Sequence, residues 1–412
     1  MDSTFGRLPG VNGADLAYGR SVAGCGAVSP SVATARSAWH GLRSPGAYEW
    51  WYFDAICPSP DGGSDPLIVV AILYSGFPFT PAYYSRRAER AEAAERAGDP
   101  FRLSPDPADH AAVSLSVSRG RDVLATGVSE FGPSHFSASR EEFEVGVGGN
   151  RALLDAAGRL RVELDLETIA LGRRLRSPGW NQRTCGCLHF EPIGLQPGDV
   201  GLSLNPSSVD SGVPTDSGLH AWNLIAPRCR VSGELSMSGS GAGSVVVSGL
   251  GYHDHNFGNR AMDLDLKRWC WGRMSTERTS IVLYDSLSRA GRSVGSVAWQ
   301  IDPEGPWHQS ERFVHRVLRR GWNVMGIRNP VDSVVEARSS HGMSLEVRTR
   351  VVDVVEMAPF YLRYLLSFEG QWSGGGQSGT FAEQGMGEYL VPRRLRSSLV
   401  QAMMRTRMRY TR

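Results

Sequence analysis

Lysine is almost missing from this chain: Lys267 is the one lysine among 44 basic residues. That imbalance reads as coding bias, not as function. Net charge is missing too. A balance of +2 over 412 residues gives no long-range field to hold nucleic acid. No run of 18 apolar residues occurs, so no segment reads as a membrane-spanning helix. The opening MDSTFGRLPGVNGADLAYGR lacks a basic stretch followed by an apolar core, so no secretory signal is expected there. The six cysteines are scattered, and the one close pair, CGC, is tighter than the usual redox or zinc spacing. Free thiols in a reducing cytoplasm are the expectation. No Gly-rich nucleotide loop follows a strand and opens a helix, and HEXXH is absent. The sequence therefore calls for neither a cofactor nor a resident metal.

Glycine and tryptophan are plentiful, at 48 and 11 residues. Short alternating or β-branched runs separated by turn residues fill most of the chain, which points to an all-β fold of antiparallel sandwiches or barrels. Residues 1–38 are small and polar and read as an irregular arm. RRAERAEAAERAGDP, residues 86–100, is a charged helix-like insert with little apolar face. A break near 236–245 suggests two β units, 39–238 and 239–392, each opening on a tryptophan-rich strand: EWWYFDA and RWCWGRM. Pro227 is expected to divide two strands. After Pro392 comes a basic amphipathic tail, 393–412, expected to be helical. It would pack across a barrel end, with peripheral membrane contact as the alternative.

GYHDHNFG, residues 251–258, is the densest polar stretch. On a strand, His253 and His255 share one face, while Asp254 and Asn256 share the other. The histidines with a distant carboxylate would suit a metal. A polar turn satisfying backbone groups is the structural alternative. The acid–base reading takes Asp254 first: buried among aromatics, its charged form is desolvated and its pKa rises. Asn256 would hold it or bind a substrate oxygen. Glu49 and Asp54, beside Trp50, Trp51 and Tyr52, are the second acids. Trp50 and Trp51 point to opposite faces, whereas Trp269 and Trp271 share one, so part of this set can wall a cavity. Aromatic walls stabilise cationic intermediates and hold a polyene folded. Tyr389 in GEYLVP is a further hydroxyl that could face inward.

EWWYFDA, GYHDHNFG and KRWCWGRM, with the later FEGQWSG and GEYLVP, resemble the carotenoid 1,2-hydratase (hydroxyneurosporene synthase-like) family over roughly residues 40–395. The resemblance implies tandem lipocalin-like β-barrels. Its G-Y-x-D-x-N-x-G pattern is matched by Gly251, Tyr252, Asp254, Asn256 and Gly258. It implies Asp254 as the general acid; Tyr252, His253 and His255, its neighbours on the strand, are candidates for binding a hydrophobic substrate. His253 and His255 stand at the pattern's variable positions, and the 86–100 insert departs from a minimal barrel. One branch of the family hydrates acyclic carotenoids. Another resembles cofactor-free Diels–Alderases. The reading put first is a cofactor-free cyclase or isomerase for an unsaturated polyketide or terpenoid. Carotenoid hydration is the alternative, and a non-catalytic lipid or pigment carrier is the third.

Overall fold

The structure is a computed structural model that describes residues 37–44, 46–59, 62–63, 65–85, 106–171, 182–194, 220–238, 243–405 and 408–411. The charged insert and residues 1–36 of the arm lie outside these.

Strands β1 (Tyr48–Cys57), β2 (Leu67–Ser75), β3 (Ala111–Arg119), β4 (Asp122–Phe131), β5 (Phe136–Ala138), β6 (Glu144–Val147), β7 (Asn150–Leu154), β8 (Leu160–Leu171), β9 (Gln182–Pro192), β10 (Ala221–Ser238) and β11 (Gly243–Gly258) form the first sheet. Its order runs β4-β3-β2-β1-β11-β10-β9-β8, and β4 also pairs with β8, so the circuit returns on itself. After a short helix α1 (Met262–Asp265), the second sheet follows. It comprises β12 (Leu266–Ser275), β13 (Ser280–Ser288), β14 (Ser293–Gln300), β15 (His308–Trp322), β16 (Arg328–Ser339), β17 (Ser344–Ala358), β18 (Tyr361–Gly374) and β19 (Gln377–Leu390), closed as a barrel in chain order. Closure removes the free edges that an open sheet would expose.

The expected tandem β architecture is therefore present, but the passage between sheets is not at 239. The Gly-Ser stretch there joins β10 to β11, which pair with each other inside the first sheet. The chain crosses at 259–265. Pro227 does not end a strand either: β10 runs through it, with register shifts at Leu224/Ala226 and Ala226/Cys229. A bulge is where a residue without an N–H can sit in a sheet. The tail forms a 3₁₀ turn (Pro392–Arg396) and a helix α2 (Ser398–Arg405). It then ends in β20 (Met408–Thr411), parallel to β4 of the first sheet.

Three apolar clusters follow from strand alternation. Trp51, Phe53 and Ala55 fill the first barrel. Cys270, Met274 and Tyr389 belong to the interior of the second. Between the barrels lies a third cluster, built from Tyr48, Trp50 and Tyr52 of β1, Tyr252 of β11, Trp222 of β10, and Trp269 and Trp271 of β12. Leu395, Val400 and Met404 of the tail pack on it.

One ion pair is buried in this aromatic layer. Arg273 of β12 donates from Nη2 to Oδ1 of Asp54 on β1, and its Nε lies 3.3 Å from Oδ2. Tyr52 Oη donates to the same Oδ2 at 3.0 Å. Burial raises the Asp54 pKa despite the guanidinium. Such a pair adds little net stability but is costly to break, because the survivor is left as a buried lone charge. Arg273→Ala is expected to destabilise the protein by about 3–5 kcal/mol, and the paired change Asp54→Leu/Arg273→Met by much less. Urea unfolding of the three proteins checks this, and equal losses would contradict it.

Candidate active site

β1 and β11 lie side by side, with Trp50 opposite Asn256 and Tyr52 opposite Asp254. β10 flanks β11 on its other edge, with Trp222 opposite Asn256 and Leu224 opposite Asp254. Alternation turns Tyr252, Asp254 and Asn256 towards the second barrel and His253 and His255 into the first. Gly251 is required by close packing: an added Cβ would stand 2.3 Å from Val231 Cγ2 and 2.6 Å from the Asp54 carbonyl oxygen. Gly258 leaves room for the Tyr48 ring, since a Cβ there would stand 2.5 Å from Tyr48 Cζ.

The Asp254 carboxyl is fully enclosed by donors and rings. Trp222 Nε1 and Tyr252 Oη each donate to Oδ2 at 2.7 Å. Asn256 Nδ2 donates to Oδ1 at 2.6 Å. With the amide so oriented, Asn256 Oδ1 accepts from His220 Nε2 at 3.1 Å, and His220 Nδ1 accepts from Tyr48 Oη at 3.0 Å. A chain of four side chains, Tyr48, His220, Asn256 and Asp254, thus fixes the direction of every hydrogen bond up to the acid. Burial drives the Asp254 pKa up to about 8; the hydrogen bonds from Tyr252, Trp222 and Asn256 oppose that rise without cancelling it. Burial also pushes His220 down to about 3, so its imidazole is neutral. Tyr48 and Tyr252 keep their protons because burial raises both phenols well above their ordinary value.

This group faces a cavity lined by Trp50, Tyr52, Trp222, Asp254, Asn256, Trp269, Trp271, Tyr284 and Glu388. Its volume is about 20 Å³, room for one water. Trp222 stacks on Tyr284 at 5.3 Å, and His220 lies over Trp50 at 5.3 Å and Trp269 at 4.8 Å. Glu388 enters from β19 of the second barrel. Its Oε1 accepts from Tyr361 Oη and from Arg363 Nε at 3.2 Å. Burial raises its pKa, with Arg363 working against the shift.

The sequence-derived candidates divide into three groups. Asp254, Asn256, Trp50, Tyr52, Trp269 and Trp271 meet at this cavity, and Tyr252 bonds the acid. Trp51, His253, His255 and Glu49 do not reach it, because they occupy the opposite parity on β1 and β11. Trp51 lies in the first barrel's core, stacked on His255 at 4.9 Å. His253 stacks on Phe53 at 4.1 Å, its Nδ1 3.0 Å from the Tyr52 carbonyl oxygen. Tyr389 lines a different cavity, of about 40 Å³, inside the second barrel. His220, Trp222, Tyr284 and Glu388 carry no signal of their own in the sequence; only pairing brings them to Asp254.

Glu49 has another role. Its Oε1 accepts from His40 N and Nδ1, both at 2.8 Å, and from His255 Nε2 at 2.9 Å. Burial opposes its charge, yet these hydrogen bonds hold its carboxyl below the usual range. The clamp ties residue 40 to the first barrel. His40, Glu49 and His255 could also hold a metal ion, as could Cys270, Asp285 and His315 inside the second barrel. A wider hollow of about 560 Å³ beside Arg312, Glu336, Arg338 and Trp372 is open and of mixed polar and apolar lining, and none of the groups around Asp254 line it.

A family profile described as carotenoid hydratase CrtC matches residues 197–412. The chain is 28% identical over 373 residues to a hydroxyneurosporene dehydrogenase of Chlorobaculum tepidum, covering 89% of this chain and 88% of that protein. It is 25% identical over 337 residues to an acyclic carotenoid 1,2-hydratase of Thiocapsa roseopersicina, covering 78% of this chain and 65% of the relative. In fold it is similar to the crystal structure of an AttH-type protein of Nitrosomonas europaea. The TM-score is 0.54 at 15% identity, covering 90% of this chain and 98% of the other.

Removing a donor from Asp254 should destabilise its charged form. Trp222→Phe is therefore expected to raise the Asp254 pKa beyond its starting value of about 8. Carbon-13 NMR of the labelled carboxyl measures both midpoints. A wild-type midpoint in the ordinary carboxylate range would refute the burial argument.

Proposed function

The chain belongs to the carotenoid hydratase CrtC family, and from that premise we propose that it adds water across a terminal carbon–carbon double bond of an acyclic carotenoid-type polyene. The family acts on apolar unsaturated small molecules, and its hydratase activity favours hydration over the cyclisation that the sequence put first. The observation that carries the proposal is the Asp254 carboxyl, protonated near neutral pH and facing a cavity the size of one water. A cyclase must enclose a whole folded polyene; a hydratase needs an alkene end, a proton and a water. A carrier needs no buried acid, since an unpaired buried charge is costly.

Asp254 donates its proton to the less substituted carbon of the double bond, and the π electrons form that C–H bond. The neighbouring carbon becomes a tertiary cation, held against the faces of Trp50, Trp269 and Trp271. Water attacks the cation, and Glu388, on the opposite wall, takes the proton that water loses. Proton transfer from Glu388 back to Asp254 restores the starting state. Tyr361 and Arg363 hold the Glu388 carboxylate in place. His220 and Asn256 orient the acid and do not titrate in the working range. The rings of Trp50, Trp269 and Tyr284 must part to admit the alkene end, given the cavity's volume of about 20 Å³.

The test is turnover of an acyclic carotenoid in heavy-oxygen water. The product is expected to carry the label; an unlabelled cyclic isomer would overturn hydration in favour of cyclisation. Asp254→Asn should lower kcat by about 10²–10⁴-fold with the fold kept. Full activity in that variant would remove Asp254 from its role.

The pH dependence follows from both groups. Asp254 must be protonated, so activity falls as pH rises through about 8. Glu388 must be ionised, so activity falls again at acid pH, below a pKa that burial has raised. A bell-shaped profile is expected. Glu388→Gln should lose the acid limb and most of kcat, and Glu388→Asp should recover part of both. An unchanged acid limb in Glu388→Gln would rule out the base.

A further inference from the structure

We propose that one end of the second barrel docks on the surface of an anionic phospholipid bilayer. Strand directions bring the start of β12, the β13–β14, β15–β16 and β17–β18 turns and the end of β19 to this end. The same end carries α1, the 3₁₀ turn and α2.

Its outermost residues are apolar. Val324 is 88% exposed, Trp322 73% and Leu399 69%, with Leu264 at 46%. The β15–β16 tip that carries the first two is rigidly built. Asn323 Oδ1 accepts from Met325 N at 3.0 Å and Ile327 N at 2.9 Å, and Ile327 anchors the turn in the barrel core. Arg394, from the segment bearing Leu399, donates to the carbonyls of Gly326 at 2.8 Å and Met325 at 2.7 Å. The exposed tryptophan is thus held out by hydrogen bonds from two parts of the chain. A ring with an apolar body and a polar N–H suits the boundary between headgroups and acyl chains.

Charge selects the kind of surface. Lys267, Arg289, Arg292, Arg319, Arg328 and Arg393 are exposed around these apolar residues. Among the described residues 259–268, 286–294, 318–330 and 389–405, no Asp or Glu is exposed. The acids present, Asp263 and Asp265, are buried and paired with Arg396 and Arg260. The whole chain carries only +2, so the remainder is net negative and this segregation of positive charge is local. Each basic residue near an anionic leaflet adds about fivefold to partitioning. The Asp254 cavity lies towards the same half of the barrel: its wall residue Trp269 is near the start of β12 and Glu388 near the end of β19, with Tyr284 at the middle of β13.

The experiment is co-sedimentation of the full chain with phosphatidylcholine vesicles, with and without phosphatidylglycerol. No turnover is measured, so the result stands apart from the hydration reading. Binding to the phosphatidylglycerol vesicles is expected to be at least tenfold stronger, and lost at about 0.5 M salt. Val324→Asp and Trp322→Ala should each weaken it by about tenfold. Both residues are exposed, so circular dichroism and Tm should not change. No sedimentation with phosphatidylglycerol vesicles, or undiminished sedimentation of Val324→Asp, overturns the proposal. So does a dimer that Val324→Asp converts to monomer without any vesicle binding, since a second copy would then cover the patch.

Discussion

The antiparallel pairing of β1 with β11 governs the rest of the molecule, because β1 and residues 251–258 of β11 are buried on both faces. A strand in a single barrel has one face in the core and one in water. Here the outer face of the first barrel is covered by the second, so side chains of either parity must find a dry environment. One parity supplies Trp51, Phe53, His253 and His255 to the first core. The other supplies Trp50, Tyr52, Asp54, Tyr252, Asp254 and Asn256 to the layer between barrels. Polar groups on the second face cannot be solvated and must be satisfied by protein. That requirement produces the Arg273–Asp54 pair and the ordered chain from Tyr48 to Asp254.

Asp254 shows how such a layer creates reactivity. Three donors point at its carboxyl, an arrangement that would favour the anion in a wetter site. Burial among indole and phenol rings outweighs them, so the proton stays on. The same rings lower the cost of positive charge. An acid and a cation-stabilising wall thus arise from one physical cause, the exclusion of water by aromatic packing. Nothing in this layer is optimal for stability: a buried acid and a buried ion pair both cost more than apolar residues of the same shape.

Much of this was legible in the chain. Alternating short strands gave the all-β class, and the paired tryptophan-rich segments marked the first strand of each barrel. Period-two alternation separated Asp254 and Asn256 from the two histidines, and the strands bear it out. The unseen parts involve either parity or pairing. The Gly-Ser stretch near 239 has the composition of a linker between units, yet it stands between β10 and β11, two strands that pair with each other. Tyr389 was chosen in GEYLVP where its neighbour Glu388 faces the cavity, a slip of one residue that reverses the face of a strand. Glu49 sits beside the right tryptophan on the wrong parity. His220 and Trp222 lie more than thirty residues before Asp254 in an ordinary-looking strand, and only the β10–β11 register places them there. Glu388 comes from the last strand of the other barrel, which no local pattern could connect.

The smallness of the cavity has a consequence for selection. Its walls belong to two barrels, so its rings can part only a little without disturbing either core. From a resting space of about 20 Å³, such an opening would admit the tip of a thin chain but not its middle. What lies beyond the tip remains outside, where length and saturation are not measured. A site of this shape reads termini: it would distinguish one chain end from another while treating long and short molecules with the same end alike.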